Sequence, residues 1–412
     1  MIERIKNIVK SEFFIGSLIL MILINVGNVI NYIFHFSMAR LLSTVDYGIF
    51  AVLTNIIYIF SVPTLSIQAL VSKETTKYRL KKEYGKIKGI FSNLIKETFL
   101  ISLIAYIIFL IISFYVSKSL NISIYLLALT GFFLFISFIT PISIGILQGM
   151  KKFNVWGWNY IISCLAKLII AIILVIVGLK VYGAIIGFII GSVISFFLVF
   201  PFIKEITSSK KVEEKVHLFS KKSLPTVLAI LLMVLMYSSD VIIIKMFFDP
   251  DSAGKYAIIS LLGKMILFGT SAIGSAMFPI SSEKYESGIK TRSLIKKTYL
   301  AVFLLCISAV VILGLFPKLV ITLLFGTKYL EVTSILVYVA IAFSALSLLN
   351  ILVLYKISIN KFRMIHVIVL AILFILELII MFNTCSSLEL FSISFMISTI
   401  IMFIGGIVLI RK

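Results

Sequence analysis

The chain has 412 residues, 61% of them hydrophobic and only 13% charged, with a formal net charge of +21. Soluble domains run nearer half apolar and a quarter charged, so a soluble enzyme or binding domain is excluded. A membrane β-barrel would show ~10-residue stretches of alternating polarity, and none occur.

In chain order, the predicted apolar spans are 12–38, 47–70, 90–116, 122–148, 154–178, 182–203, 223–248, 255–280, 298–324, 330–356, 364–383 and 387–410. Each is long enough to cross ~30 Å of hydrocarbon as a helix. The fold class is therefore an all-α polytopic membrane protein of about 12 transmembrane helices. The first span is too long for a signal-peptide core, has no small-residue cleavage pattern, and is read as retained.

The basic residues are distributed unevenly between the connections. Junctions after odd-numbered spans hold Arg40, Lys118, Lys180, Lys255, Lys318 and Lys328, while Lys96, Lys167, Lys245 and Lys264 fall inside spans; the other 28 of the 38 Lys and Arg lie on the opposite side. By the positive-inside rule that side, with both termini, is cytoplasmic, and the expected location is the plasma membrane. The surplus positive charge reads as topology plus attraction to anionic lipids, with no nucleic-acid partner required. Cys164, Cys306 and Cys385 are far apart, as are His35, His217 and His366, so neither a disulfide framework nor metal-ligand spacing is present. No phosphate-binding GxxxxGK[ST] occurs and no connection is long enough for a soluble catalytic domain. The expectation is a transporter, not an enzyme.

The polar, basic stretch 206–222 falls near the middle of the chain and reads as a cytoplasmic linker between lobes 1–205 and 223–412. Shifting the sequence by 209 positions supports a repeat: Tyr47 lands on Tyr256, "VSKE" at 71–74 on "ISSE" at 280–283, and "KKF" at 151–153 on "NKF" at 360–362. Six spans per half is an even number, so the repeat is parallel, an arrangement of transporters that hold substrate between their halves. The same shift maps Asn31 onto Asp240 and Asn55 onto Lys264. Both pairs fall near mid-membrane, so the first hairpin of each half is expected to carry a facing polar pair.

Charge at the bilayer centre costs on the order of 3 kcal/mol on insertion scales, so such residues face a bundle interior or a wet cavity. Asp240 and Lys264 are read either as an ion pair joining two helices or as cavity charges for an anionic substrate or a coupling cation. Lys167 and Glu377, each about thirteen residues into its span, pose the same choice. Asn25, Asn28, Asn31 and His35 share one face of the first span, a stripe better suited to lining a cavity than to holding helices together. Pro63, Pro141 and Pro279 mark expected kinks.

The stretch "ARLLSTVDYGIFAVL" (39–53) after a polar first helix resembles the opening signature of the oligosaccharide and polysaccharide flippases of the multidrug/oligosaccharidyl-lipid/polysaccharide exporter superfamily. "ILQGMKKFNVWG" (146–157), "SSDVIIIKMFFDPDSAGKYAI" (238–258) and "LLFGTKYLE" (323–331) extend the resemblance, in the family's order, over nearly the whole chain. The resemblance implies two pseudo-symmetric six-helix lobes around a central cavity formed largely by helices 1, 2, 7 and 8. It also implies alternating access that moves a polyprenyl-diphosphate-linked oligosaccharide to the outer leaflet. Cationic cavity residues are expected, with Arg40 and Lys264 matching. No cofactor is expected, and a coupling cation, Na+ or H+, is the one small ion the reading allows. The chain is read as a monomer, with other glycan-assembly membrane proteins as partners. A cation-coupled multidrug exporter of the same superfamily is the alternative within this class, weakened by a first helix that carries asparagines where an acid is usual. A membrane-embedded glycosyltransferase or polymerase is the alternative of another class.

The 209-residue shift also places Arg40 on Asp249 and Asp46 on Lys255. Each half thus brackets its first outer turn with a cation and an acid, in reversed order. These four residues are expected to form an extracellular gate, Arg40 toward Asp249 and Asp46 toward Lys255.

Overall fold

The computed structural model describes residues 12–214, 216 and 224–410. Every regular element among them is helical. We label the main helices α1 (Glu12–Leu41), α2 (Thr44–Phe60), α3 (Val62–Leu80), α4 (Tyr84–Leu120), α5 (Ile124–Gly131), α6 (Phe133–Gly149), α7 (Phe153–Leu174), α8 (Lys180–Phe197), α9 (Leu224–Phe247), α10 (Pro250–Glu286), α11 (Arg292–Leu315), α12 (Pro317–Phe325), α13 (Leu336–Ser358), α14 (Met364–Phe382) and α15 (Leu388–Ile410).

Their surfaces invert the soluble pattern. Leu100, Ile104, Ile107, Ile108 and Ile111 are exposed along α4 while Thr98, Ser102 and Ser113 are buried, as lipid around an amphipathic bundle requires. α7 and α8 reverse on one another at Gly178, which takes φ 102°, a conformation that costs glycine little. The expected kinks resolve differently at each proline. Pro63 stands in the first turn of α3, after the break at Ser61, whereas Pro141 and Pro279 lie inside α6 and α10.

Several helices outrun the hydrocarbon. α4 and α10 have 37 residues each, about 55 Å at 1.5 Å per residue. The surplus turns carry basic residues that the sequence assigns to connections: Lys86 and Lys88 begin α4, and Lys284 ends α10. Part of the linker is likewise ordered against a helix. The Val212 amide donates to the Gly85 carbonyl at 3.0 Å, Tyr78 donates to Glu214 at 2.6 Å, and Lys88 donates to the Thr207 and Ser209 carbonyls. Gly89 makes room for this strap, since a methyl there would lie 1.9 Å from the Val212 carbonyl oxygen. His217 and most of the remaining linker lie outside the described residues.

The helices group into two compact units. The first holds the described residues up to Leu42 and those from Phe60 to the linker; the second holds Ser43–Ile59 with the described residues from Leu224 onward. The boundary therefore departs from the expected 1–205 and 223–412 lobes, because α2 sides with the C-terminal helices. The reason is close backbone packing: a methyl on Gly48 would meet Gly254 Cα at 3.0 Å, and one on Gly254 would meet the Thr44 carbonyl oxygen at 1.9 Å. In the first unit Ile67, Ile90, Leu94, Ile142, Leu147 and Ile203 form the buried core.

Candidate functional site: two polar clusters inside the helical bundles

In the first unit, polar residues of α1 meet α7. Tyr160, Cys164 and Lys167 follow one another at helical spacing down one face of α7. The Lys167 ammonium donates to the Asn31 side-chain oxygen, and the Asn31 amide donates to the Tyr160 hydroxyl at 3.0 Å and to Cys164 Sγ at 3.3 Å. Tyr160 in turn donates to the Asn28 side-chain oxygen at 2.9 Å. Lys167 is buried, 7% exposed, with its Nζ 4.4 Å from the centre of the Phe34 ring and 4.3 Å from that of Phe188. Among the described residues it makes no salt bridge. Its charge is held by one amide oxygen and two π faces, contacts worth about 2 kcal/mol when desolvated.

The stripe predicted on the first span divides. Asn28 and Asn31 belong to the cluster, whereas Asn25 is exposed and bonds back to the Met21 carbonyl at 2.7 Å. His35 is buried edge-on against Phe34.

In the second unit, Lys264 of α10 is 3% exposed and reaches three partners: Asn55 of α2 at 2.8 Å, Ser260 at 2.9 Å and the Asp240 carboxylate of α9 at 3.5 Å. Asp240 also accepts from Ser260 at 2.5 Å and from Tyr256 at 3.4 Å. Asn55 and Lys264 stand 209 residues apart, one repeat length. The facing pair expected in the second hairpin is present as the Asp240–Lys264 ion pair. In the first hairpin the expected partners part: Asn31 bonds to α7, and Asn55 bonds to Lys264 and to the Ala51 carbonyl. Glu377 of α14 is fully buried, has Asp240 as its electrostatic neighbour, and among the described residues neither of its carboxyl oxygens has a hydrogen-bond partner. Lys245, near the end of α9, is buried at 4% exposure.

The residues expected to form a gate behave otherwise. Ser43 Oγ donates to the Asp46 carboxylate at 2.8 Å and accepts from the Asp46 amide at 3.0 Å, a local cap at the start of α2. Asp249 caps α10, accepting from the amides of Asp251 at 3.1 Å and Ser252 at 2.9 Å. The Ser252 side chain and amide hold the Asp249 carboxyl below the ordinary carboxylate range. Lys255 pairs with Asp251 at 2.7 Å and Glu331 at 2.5 Å, not with Asp46, and Asp251 also accepts from Thr44. The pairing of Asp46 with Lys255, expected for an outward-closed state, is not the arrangement of this structure. Exposed amides at a helix start draw in the nearest side-chain oxygen, the Ser43 hydroxyl at α2 and the Asp249 carboxylate at α10, and S-x-x-D in "STVD" is the sequence sign of the first. Arg40 stands exposed in the last turn of α1. Phe34, Phe188, Tyr160 and Ser260 went unpredicted; the spacing of Tyr160, Cys164 and Lys167 along one helix could have shown Tyr160.

Among the described residues no group of three or more His, Cys, Asp or Glu gathers to hold a metal. The arrangement can bind an anion or a dipolar group at Lys167 and a proton or cation at the Asp240–Glu377 pair.

The fold is that of known transporters. An inward-facing multidrug resistance MATE family transporter of the MOP superfamily superposes with a TM-score of 0.74 at 12% identity, over 93% of this chain and 94% of that one. The eukaryotic MATE transporter AtDTX14 gives 0.66 at 14% identity, over 97% and 96%. A MOP superfamily transporter from Pyrococcus furiosus gives 0.61 at 15% identity, over 96% and 93%. No curated protein matches the sequence. The chain is thus a multi-pass α-helical membrane protein with a transporter fold, and through residues 14–285, which match the family described as polysaccharide biosynthesis protein, it belongs to that family.

Proposed function

We propose that the protein is a flippase that carries a polyprenyl-diphosphate-linked oligosaccharide from the cytoplasmic to the outer leaflet for surface polysaccharide assembly. One observation carries this reading: Lys167 is a buried cation that meets the Asn31 side chain and two aromatic rings and, among the described residues, no carboxylate. A diphosphate is a strong acceptor for such a donor. The family assignment supports it, and the one-sided distribution of basic residues agrees with cytoplasmic termini in a plasma-membrane protein. Alternating access supplies the movement, and the Asp240–Glu377 pair is the candidate site for a coupling H+ or Na+.

Glu377 also favours a second reading, a cation-coupled multidrug exporter. A buried carboxyl with no donor is relieved by a proton or a cation, and the MATE likeness fits that use. Reconstitution separates the two. Purified protein in liposomes should accelerate leaflet exchange of a fluorescent polyprenyl-diphosphate glycan over empty vesicles. No acceleration, combined with cation-gradient-driven efflux of a lipophilic drug, would replace the first reading with the second.

A further inference from the structure

The first unit also contains a cavity of about 350 Å³ bounded by α1, α3, α6, α7 and α8. Its polar lining is unusual in how its protons are placed. Thr64 donates to the Ser137 carbonyl at 3.2 Å and Ser137 to the Leu134 carbonyl at 2.9 Å. Ser163 donates to the Gly191 carbonyl at 2.8 Å, Ser192 to the Phe188 carbonyl at 3.0 Å, and Ser195 to the Asn159 side-chain oxygen at 2.6 Å. A hydroxyl has one proton and two lone pairs. With those protons committed to the protein, these five oxygens can serve a ligand only as acceptors.

The rest of the wall narrows the choice. It includes the Trp156 and Phe133 rings, the Gln68 and Asn159 amides and aliphatic side chains, and no Asp, Glu, Lys, Arg or His. An ion of either sign entering it would be desolvated without a counter-charge, which is costly. What fits is an uncharged molecule with several O–H or N–H donors and one apolar face, because aromatic faces carry the negative side of the ring quadrupole and attract C–H groups. A pyranose has this character. The volume is at the small end of ligand pockets, suited to a segment of a glycan.

We infer that this cavity is a binding site for a neutral sugar unit of the transported glycan. The inference rests on the flippase reading and deepens it. Tyr160 lines the cavity and also joins the Asn28–Asn31–Lys167 network. One residue therefore links a neutral sugar site to the charge that meets the diphosphate.

The test uses the two tryptophans of the chain. Trp158 is 57% exposed and lies outside the cavity lining, so Trp158→Phe leaves Trp156 as the sole indole reporter. The full-length variant in nanodiscs is titrated with neutral methyl glycosides and disaccharides of gluco, galacto, manno, 6-deoxy and N-acetylamino type, and with tetraphenylphosphonium. At least one neutral sugar should give a saturable change in Trp156 emission. Adding Ser163→Ala and Ser192→Ala, with an unchanged melting temperature, should weaken it at least tenfold, and the phosphonium should give none. The inference is overturned if no sugar responds, if the phosphonium responds as the sugars do, or if the double alanine variant binds as well as its parent. Leaflet exchange is measured on the same proteins. Exchange without any sugar response sinks the cavity alone, whereas a sugar response without exchange sinks the flippase reading.

Discussion

The repeat-equivalent α1–α7 and α9–α14 contacts carry opposite charge. In the first unit Asn31 faces Lys167, a neutral amide beside a cation. In the second, Asp240, one repeat length after Asn31, neighbours Glu377, one repeat length plus one residue after Lys167, so two acids replace the amide and the cation. Lys264 neutralises one of those acids. On the proposed function, the first unit serves the anionic group of the substrate and the second a coupling cation.

The largest expected effect falls where opposite charges are already paired. Lys264→Met leaves Asp240 buried beside Glu377 without a cation, and losing one partner of a buried pair costs about 3–5 kcal/mol. Equilibrium unfolding in detergent should show that loss, and Asp240→Leu in the same chain should recover most of it. A single-variant loss below about 1 kcal/mol would mean the second cluster is not held by its ion pair.

A contrast between the clusters comes next. Lys167→Met should lower leaflet exchange of the diphosphate-linked glycan about tenfold, the scale of one charge-assisted hydrogen bond, and Lys167→Arg should retain most of it. Glu377→Gln should leave glycan binding in place and flatten the pH dependence of exchange. If the two neutral variants gave the same profile, the proposed division of labour would fail.

The smallest effect concerns the helix caps at the outer turns. Asp249→Ala should cost about 1 kcal/mol. Because hydrogen bonds from Ser252 hold the folded carboxyl below its ordinary value, the stabilisation is complete above about pH 4 and disappears as pH falls through the lower folded value. A stability difference between Asp249→Ala and the parent that stayed constant down to pH 2 would show that the cap does not act through its charge.

Sequence alone determined the class of molecule, because twelve apolar stretches and a one-sided distribution of lysines reflect the solvent around the chain and need no knowledge of packing. The 209-residue offset was legible for the same reason: it is a property of the string, and it set Asp240 and Lys264 at one depth before any contact was known. Helix caps were legible too, since "STVD" joins residues three apart, but the charges there were assigned to a distant gate instead. What only the tertiary structure decided is which side chain meets which across helices. It moved α2 into the second unit through the contact of Gly48 with Gly254, joined Asn31 to Lys167 and Asn55 to Lys264, and set Phe34 and Phe188 about Lys167. Those choices depend on rotation about helix axes and on close backbone approach, and hydropathy is blind to both, since a lipid-facing leucine and a packed one read alike.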